Sequence, residues 1–109
     1  MGTLGELETL ILLAVLRLGE GAYGVSIRDE IADRLGRHLS RGAIYTALKR
    51  LEGKGFVAGS MGEPIPARGG RARRYLTLTE EGLEAVRKAT HQMDRMREGL
   101  DGLLADGTT

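Results

Sequence analysis

Residues 40–52 read SRGAIYTALKRLE, and no other part of the chain says more about the fold. Ser40 is a residue type that commonly caps the start of a helix, which predicts a helix from about Arg41 to Lys54. One side of this helix is apolar at the spacing i, i+4 and i+7, with Ile44, Leu48 and Leu51. Its opposite side carries Arg41, Gly42, Tyr45, Thr46, Lys49 and Arg50. A helix of this kind can lie in the major groove of DNA, where basic side chains reach phosphates and base edges.

Two helices are predicted before this segment. Residues 4–18 are apolar around nearly the whole helical circumference, which is typical of a helix that is buried on several sides. A second, amphipathic helix is predicted from about Val25 to Leu35, with Gly36 as its C-terminal stop. Because only a short turn separates the second helix from the third, the pair fits a helix-turn-helix whose third helix is the recognition helix.

A β-hairpin is predicted after the recognition helix. Phe56 to Met61 and Arg71 to Leu78 favour strands, and a loop with two prolines and three glycines joins them. Four arginines in the loop and second strand are placed to contact an adjacent DNA backbone or minor groove: Arg68, Arg71, Arg73 and Arg74. These arginines, Ser40 and the outward side chains of the recognition helix form the predicted DNA-binding set. The predicted fold is a winged helix-turn-helix, mainly α with a small β-hairpin (α+β).

A long final helix is predicted from Thr79, its N-cap, to about Leu104. Its apolar side chains recur over about three heptads, with Val86, Met93 and Leu100 at one heptad position and Ala89, Met96 and Leu103 at the next. A lone helix protruding from a small domain cannot bury this seam, so we expect it to pair with a second copy of the chain. An ordinary core helix is the alternative. The first helix is expected to join the dimer interface through Leu7, Leu10 and Ile11.

The length of 109 residues allows one domain with a modest core. With 17 Leu, one Phe and no Trp, that core must be aliphatic. We expect a DNA-binding domain over residues 1–78, a dimerisation helix over 79–105 packed on the same domain, and a frayed tail over 106–109. Dimerisation is a common remedy for a core of this size.

The formal net charge of +1 hides a strong asymmetry. Residues 37–74 hold nine basic and two acidic residues, a net charge of +7, whereas the segments on either side each carry a net charge of −3. A basic block of this kind is typical of proteins that bind polyanions. A solvated surface without a partner is the alternative interpretation.

Other classes of protein find little support. The longest apolar run, Leu10 to Leu16, is too short to span a membrane, and the N-terminus lacks the cationic start of a signal peptide. No cysteine is present, and the two histidines, His38 and His91, lie in no catalytic or metal-binding motif. We therefore expect a cytosolic protein that is not an enzyme and that has no catalytic residues, metal or cofactor.

Three groups of residues, in order over about residues 7–82, form a specific pattern. They are Tyr23-Gly24 with Ile27; Gly42 to Glu52 with Gly55-Phe56-Val57; and Arg68 to Arg71 with Arg74-Tyr75 and Leu78 to Gly82. This pattern resembles the PadR family of winged-helix transcriptional regulators, and the length is similar to its branch with a single C-terminal helix. The resemblance implies a homodimer that binds a pseudo-palindromic operator in double-stranded DNA, usually as a repressor. It also implies dimerisation through the first and last helices.

The sequence departs from the family pattern at two points. Thr46 stands where proline is frequent, which an early helical position should tolerate. Some drug-sensing members stack planar ligands on a tryptophan of the last helix, and this chain has no Trp. A drug pocket of that type is therefore not expected, and whether Met93 and Met96 line any pocket stays open.

Two alternatives to a DNA-binding regulator are a winged-helix module that binds an acidic protein through the basic block, and an enzyme. The operator, the regulated gene and any small-molecule inducer cannot be read from the sequence.

Overall fold

Five α-helices and one β-hairpin make up the part of the chain that the structure, a computed structural model, describes: residues 4–62 and 72–105. In chain order the elements are α1 (Glu6–Leu18), a short 3-10 turn (Gly19–Gly21), α2 (Gly24–Leu35), α3 (Arg41–Gly53), β1 (Val57–Met61), β2 (Arg74–Leu78), α4 (Glu80–Arg97) and α5 (Asp101–Leu104). This mainly helical architecture with a small hairpin confirms the predicted fold class. Arg68, Arg71 and the predicted frayed tail lie outside the described residues.

The three predicted helix boundaries that rest on a capping residue are confirmed. The Ser40 hydroxyl accepts a hydrogen bond from the Ala43 backbone N–H at 3.1 Å and so begins α3. The Thr79 hydroxyl accepts one from the Gly82 N–H at 3.0 Å and begins α4. Gly36 ends α2 with a φ of +66°, a left-handed conformation that glycine adopts without steric cost.

The core is aliphatic apart from Phe56, and α1 runs through its centre. This helix packs against α2, α3, α4 and β2, which explains why its sequence is apolar on nearly every side. Ile11 is 0% exposed and Val86 is 2% exposed. The prediction that these two side chains meet a second copy is wrong, because their own chain already covers them.

The hairpin has an additional backbone partner that the sequence did not reveal. Strands β1 and β2 pair in antiparallel register from Val57 opposite Leu78 to Met61 opposite Arg74. On the outer edge of β2, the Leu76 N–H donates a hydrogen bond to the Ala22 carbonyl at 2.8 Å. The segment before α2 therefore acts as a short third strand and ties the hairpin to the helix-turn-helix.

The start of α4 lies against the entry to β1. An added Cβ at Gly82 would lie 2.0 Å from the Phe56 carbonyl oxygen, so only glycine fits there. The same Phe56 carbonyl accepts the Thr79 N–H at 3.1 Å, and the Thr79 hydroxyl donates to the Gly55 carbonyl at 2.6 Å. These contacts fix the direction in which α4 leaves the domain.

The last helix is shorter than predicted. α4 ends at Arg97, and Gly99 has a φ of +81°, which breaks the helix before the four-residue helix α5 begins at Asp101. The heptad pattern continues through this break, but Leu100 and Leu103 lie beyond it. The prediction of one continuous helix to Leu104 is therefore wrong.

Candidate nucleic-acid interface

The outer side of α3 is an exposed, basic surface. Ile44, Ala47, Leu48 and Leu51 are buried and so turn the opposite side to solvent. That side exposes every residue predicted from the sequence: Arg41, Gly42, Tyr45, Thr46, Lys49 and Arg50. Within residues 4–62 and 72–105, Arg41 and Lys49 have no acidic side chain at ion-pair distance. Both cations therefore face solvent without a compensating charge from this part of the chain.

Tyr45 lies where α3 meets the start of α2. The residue is 57% exposed, and a Cβ added at Gly24 would lie 3.6 to 3.7 Å from its phenol group. The ring therefore covers the backbone at the first residue of α2 while its outer surface faces solvent. This contact sets the two helices of the helix-turn-helix against each other on the side that carries the basic residues.

Two further tyrosines support the base of the hairpin. The rings of Tyr23 and Tyr75 pack edge to face, with centroids 5.7 Å apart, and the Arg73 guanidinium lies 4.2 Å above the Tyr23 ring. Arg73 is half-buried by this stacking. The sequence predicts no role for Tyr23 or Tyr75 beyond the family pattern, because their contact depends on the bridge between the segment before α2 and β2.

Arg74 faces the body of the protein. Its guanidinium donates two parallel hydrogen bonds to the Glu52 carboxylate, Nη1 to Oε1 at 2.6 Å and Nη2 to Oε2 at 2.5 Å. The hydrogen bonds from Arg74 lower the pKa of Glu52, against the opposing effect of burial. The same pair raises the pKa of Arg74. The structure describes two of the four arginines predicted to contact DNA from the hairpin. Arg73 is stacked on Tyr23, and Arg74 is paired with Glu52 on α3.

Two ion pairs tie the first turn of α1 to the C-terminal end of α3 and to the connection between α2 and α3. Lys54, at the C-cap of α3, donates to Glu8 at 2.9 and 3.1 Å, and Arg37, before α3, donates to Glu6 at 3.1 Å. Glu8 is only 8% exposed. Burial raises the pKa of Glu8, but the hydrogen bonds from the Gly5 N–H and Lys54 outweigh it and the pKa is lowered. Sequence spacing could not reveal the Glu8–Lys54 pair, since its members lie 46 residues apart.

Two kinds of feature are absent from the described part of the chain. No group of three or more histidines, cysteines, aspartates or glutamates there could hold a metal ion. None of the helices in residues 4–62 and 72–105 has the length and apolar character needed to cross a membrane.

Comparison with protein families accounts for most of the chain. The model of the "Transcriptional regulator PadR-like family" matches residues 12–88, from α1 through the first half of α4. The chain belongs to the PadR family. No curated protein matches the sequence.

Solved PadR structures share this fold. A PadR family transcriptional regulator from Eggerthella lenta is 30% identical, with a TM-score of 0.69 over 94% of this chain and 88% of that one. A PadR family transcription regulator from Clostridium difficile, 24% identical, has a TM-score of 0.73 over 93% of this chain and 100% of that one. A PadR-like transcriptional regulator from Bacillus cereus is 23% identical, with a TM-score of 0.74 over 92% of both chains. The last two support the fold alone.

Membership in the PadR family confirms several predictions. The winged helix is the family's fold, and its members are transcriptional regulators that bind DNA and are not enzymes.

Thr46, which stands where the family pattern often has proline, is exposed within the first half of α3. Threonine is accommodated there without any break in the helix.

The end of this PadR chain exposes apolar side chains. Residues 91–105 are all exposed, and the apolar ones among them include Met93 (61%), Met96 (76%), Leu100 (40%) and Leu103 (83%). Ala89 is half-buried, as are Leu7 and Leu10 on α1, which pack against the core from its edge. A groove of about 300 Å³ lies between α1 and α2, with Leu10, Leu13, Ile31 and Leu35 among its apolar lining residues.

Proposed function

We propose that this chain is a transcriptional repressor that binds a pseudo-palindromic DNA operator as a homodimer. The observation that carries the proposal is the exposed face of α3, where Arg41 and Lys49 stand without acidic partners in the described residues, beside a hairpin rich in arginine. A face of this shape and charge suits the major groove of DNA. That the protein represses, rather than activates, follows from the family resemblance.

The proposed contacts are divided between the recognition helix and the hairpin. Thr46, Lys49 and Arg50 lie on the outer side of α3, where they would reach base edges and phosphates. The Tyr45 hydroxyl would donate a hydrogen bond to a phosphate oxygen, and Gly42 leaves room for the DNA backbone. Ser40 and Arg41 begin the helix at its DNA-facing end. Arg68, Arg71 and Arg73 would add phosphate contacts beside it.

The exposed apolar end of the chain supports a homodimer. Apolar patches of this kind on a small protein mark an interaction surface, and here the patch lies on a segment with no core of its own. We propose that Ala89, Met93, Met96, Leu100 and Leu103 cover Leu7 and Leu10 and the adjoining groove of a second copy. Two copies related by a twofold axis would then present their recognition helices about 34 Å apart, one turn of DNA.

The proposal is tested by fluorescence anisotropy on two duplexes. One is the sequence that the full chain selects from a random duplex library, and the other is a shuffled duplex of the same composition. We expect about 10³-fold tighter binding to the selected duplex and an affinity that falls steeply with salt. Equal binding to both duplexes would contradict sequence reading. No binding to either at low salt would instead favour an acidic protein partner.

Repression and dimerisation have separate tests. A reporter gene whose promoter carries the selected duplex should be transcribed less when the chain is expressed, and an increase would overturn the assignment as a repressor. Light scattering should give twice the mass of the 11.8 kDa chain. A monomer would contradict the proposed dimer but not the DNA-binding face. The cytoplasmic location predicted from the sequence remains part of this proposal.

A further inference from the structure

Arg74 makes a contact within the protein that a residue binding only DNA phosphates would not require. Its side chain crosses β1 to reach the last turn of α3, where both of its terminal nitrogens bind the Glu52 carboxylate. The crossing passes over Gly59, because a Cβ added there would lie 2.5 Å from the Arg74 Cζ and 2.6 Å from Nη2. The missing side chain at Gly59 therefore leaves the path along which the guanidinium reaches Glu52.

The pair joins the two elements that would contact DNA. Glu52 is in the last turn of α3, three residues after Lys49 on the exposed face. Arg74 lies opposite Met61, at the last pair of the β1–β2 ladder. The two hydrogen bonds therefore connect the hairpin directly to the recognition helix.

We propose that Glu52 and Arg74 are positioning residues for DNA recognition, holding the β1–β2 hairpin at the angle at which it and α3 contact one duplex. The inference rests on the proposed DNA binding and deepens it. It gives Arg74 a role different from the phosphate contact that the sequence predicted, and it gives a role to Glu52 and Gly59, which had none.

The geometry of the pair explains why this role needs arginine and glutamate. A bidentate contact between a guanidinium and a carboxylate fixes direction as well as distance, which a single point contact does not. A free carboxylate at the end of a DNA-facing helix would also repel phosphates. Paired with Arg74, Glu52 presents a neutral unit instead, and the two Arg74 donors are already used.

Three substitutions remove the pair in different ways. Glu52→Gln removes the negative charge. Arg74→Lys keeps the positive charge but loses the two-pronged contact. Gly59→Ala changes no charge and displaces only the flexible end of the Arg74 side chain, so it should cost little stability. The matched control is Glu84→Gln, which removes the same charge from an exposed ion pair with Arg87 on α4, away from the proposed interface.

The readout is the ratio of affinities for the selected and the shuffled duplex, measured by anisotropy on the full chain. We expect each of the three substitutions to lower this ratio about fivefold, the scale typical of residues coupled to a site that they do not touch. The slope of log affinity against log salt concentration should differ from the wild-type slope by less than about 0.9, the value for one phosphate contact. Glu84→Gln should leave the ratio unchanged.

Four results would overturn the proposal. If Glu52 only competes with DNA for Arg74, Glu52→Gln would tighten operator binding, and Arg74→Lys would retain it. If the pair only stabilises the fold, thermal melting would shift while the ratio stayed at its wild-type value in all three variants. If the wild-type chain shows no preference between the duplexes, the proposed function fails and this inference fails with it. A wild-type preference that the three substitutions leave intact would overturn the inference alone.

Discussion

Replacing Gly82 with alanine tests how closely α4 approaches the backbone of Phe56, the residue before β1. Helix propensity alone predicts that Gly82→Ala stabilises the protein by about 1 kcal/mol, since glycine is a poor helix former. The structure predicts instead that the substitution destabilises the protein. The new Cβ would lie 2.0 Å from the Phe56 carbonyl oxygen, a backbone atom that cannot turn away.

The cost follows from the contacts that must yield. Cβ contacts in real proteins are essentially never shorter than 3.0 Å, so the start of α4 has to move by about 1 Å. That movement weakens the two hydrogen bonds from Thr79 to Phe56 and Gly55, worth about 1 kcal/mol each. It also loosens the packing of Val86, worth about another 1 kcal/mol. After the gain in helix propensity, we expect Gly82→Ala to lower the free energy of unfolding by about 2 kcal/mol.

Urea denaturation followed by circular dichroism, at one fixed protein concentration, measures this change. A loss of about 2 kcal/mol corresponds to a melting temperature lower by roughly 8 °C in a domain of this size. The matched control is Gly42→Ala in the first turn of α3, where an added Cβ meets nothing within 4 Å. That variant should be at least as stable as the wild type. If Gly82→Ala is equally stable, the described approach of α4 to Phe56 is wrong.

Three further predictions concern binding, assembly and pH. Tyr45→Ala and Lys49→Ala should each weaken binding to the selected duplex while light scattering still gives a dimer. Lys49→Ala should also reduce the slope of log affinity against log salt concentration by about 0.9. Unchanged affinity in both variants would contradict the assignment of α3 as the recognition helix. Met93→Asp places a charge in the proposed apolar interface and should dissociate the dimer, so a mass that stays at twice that of the chain would exclude Met93 from it. Because the pKa of Glu8 is lowered below its ordinary 4.5, the stability that its ion pair contributes is present above that pH and lost as the pH falls through the lowered value. The stability difference between wild type and Glu8→Gln should therefore shrink on acidification below about pH 4.5. A difference that grows would contradict a lowered pKa for Glu8.

Features that depend on neighbouring residues could be read from the sequence. Ser40 and Thr79 begin helices because a side-chain oxygen accepts a backbone N–H three residues later, and Gly36 ends one because it adopts a positive φ. The exposed basic side of α3 followed from the 3.6-residue period, which separates Ile44 and Leu48 from the residues facing solvent.

The same periodicity misled at the C-terminus. A heptad pattern records which side chains are apolar, but it does not show whether the backbone stays helical between them or which surface covers them. Gly99 breaks the helix, and Val86 belongs to the chain's own core.

The contacts that hold the candidate interface in place join residues far apart in the sequence. Glu8 and Lys54 are 46 positions apart, and Glu52 and Arg74 are 22 apart. Local propensity carries no information about such pairs, because they form only when α1, α3 and the hairpin pack together. The sequence therefore shows that the hairpin is basic. The stacking of Arg73 on Tyr23 and the ion pair of Arg74 with Glu52 depend on how the hairpin packs against the helices.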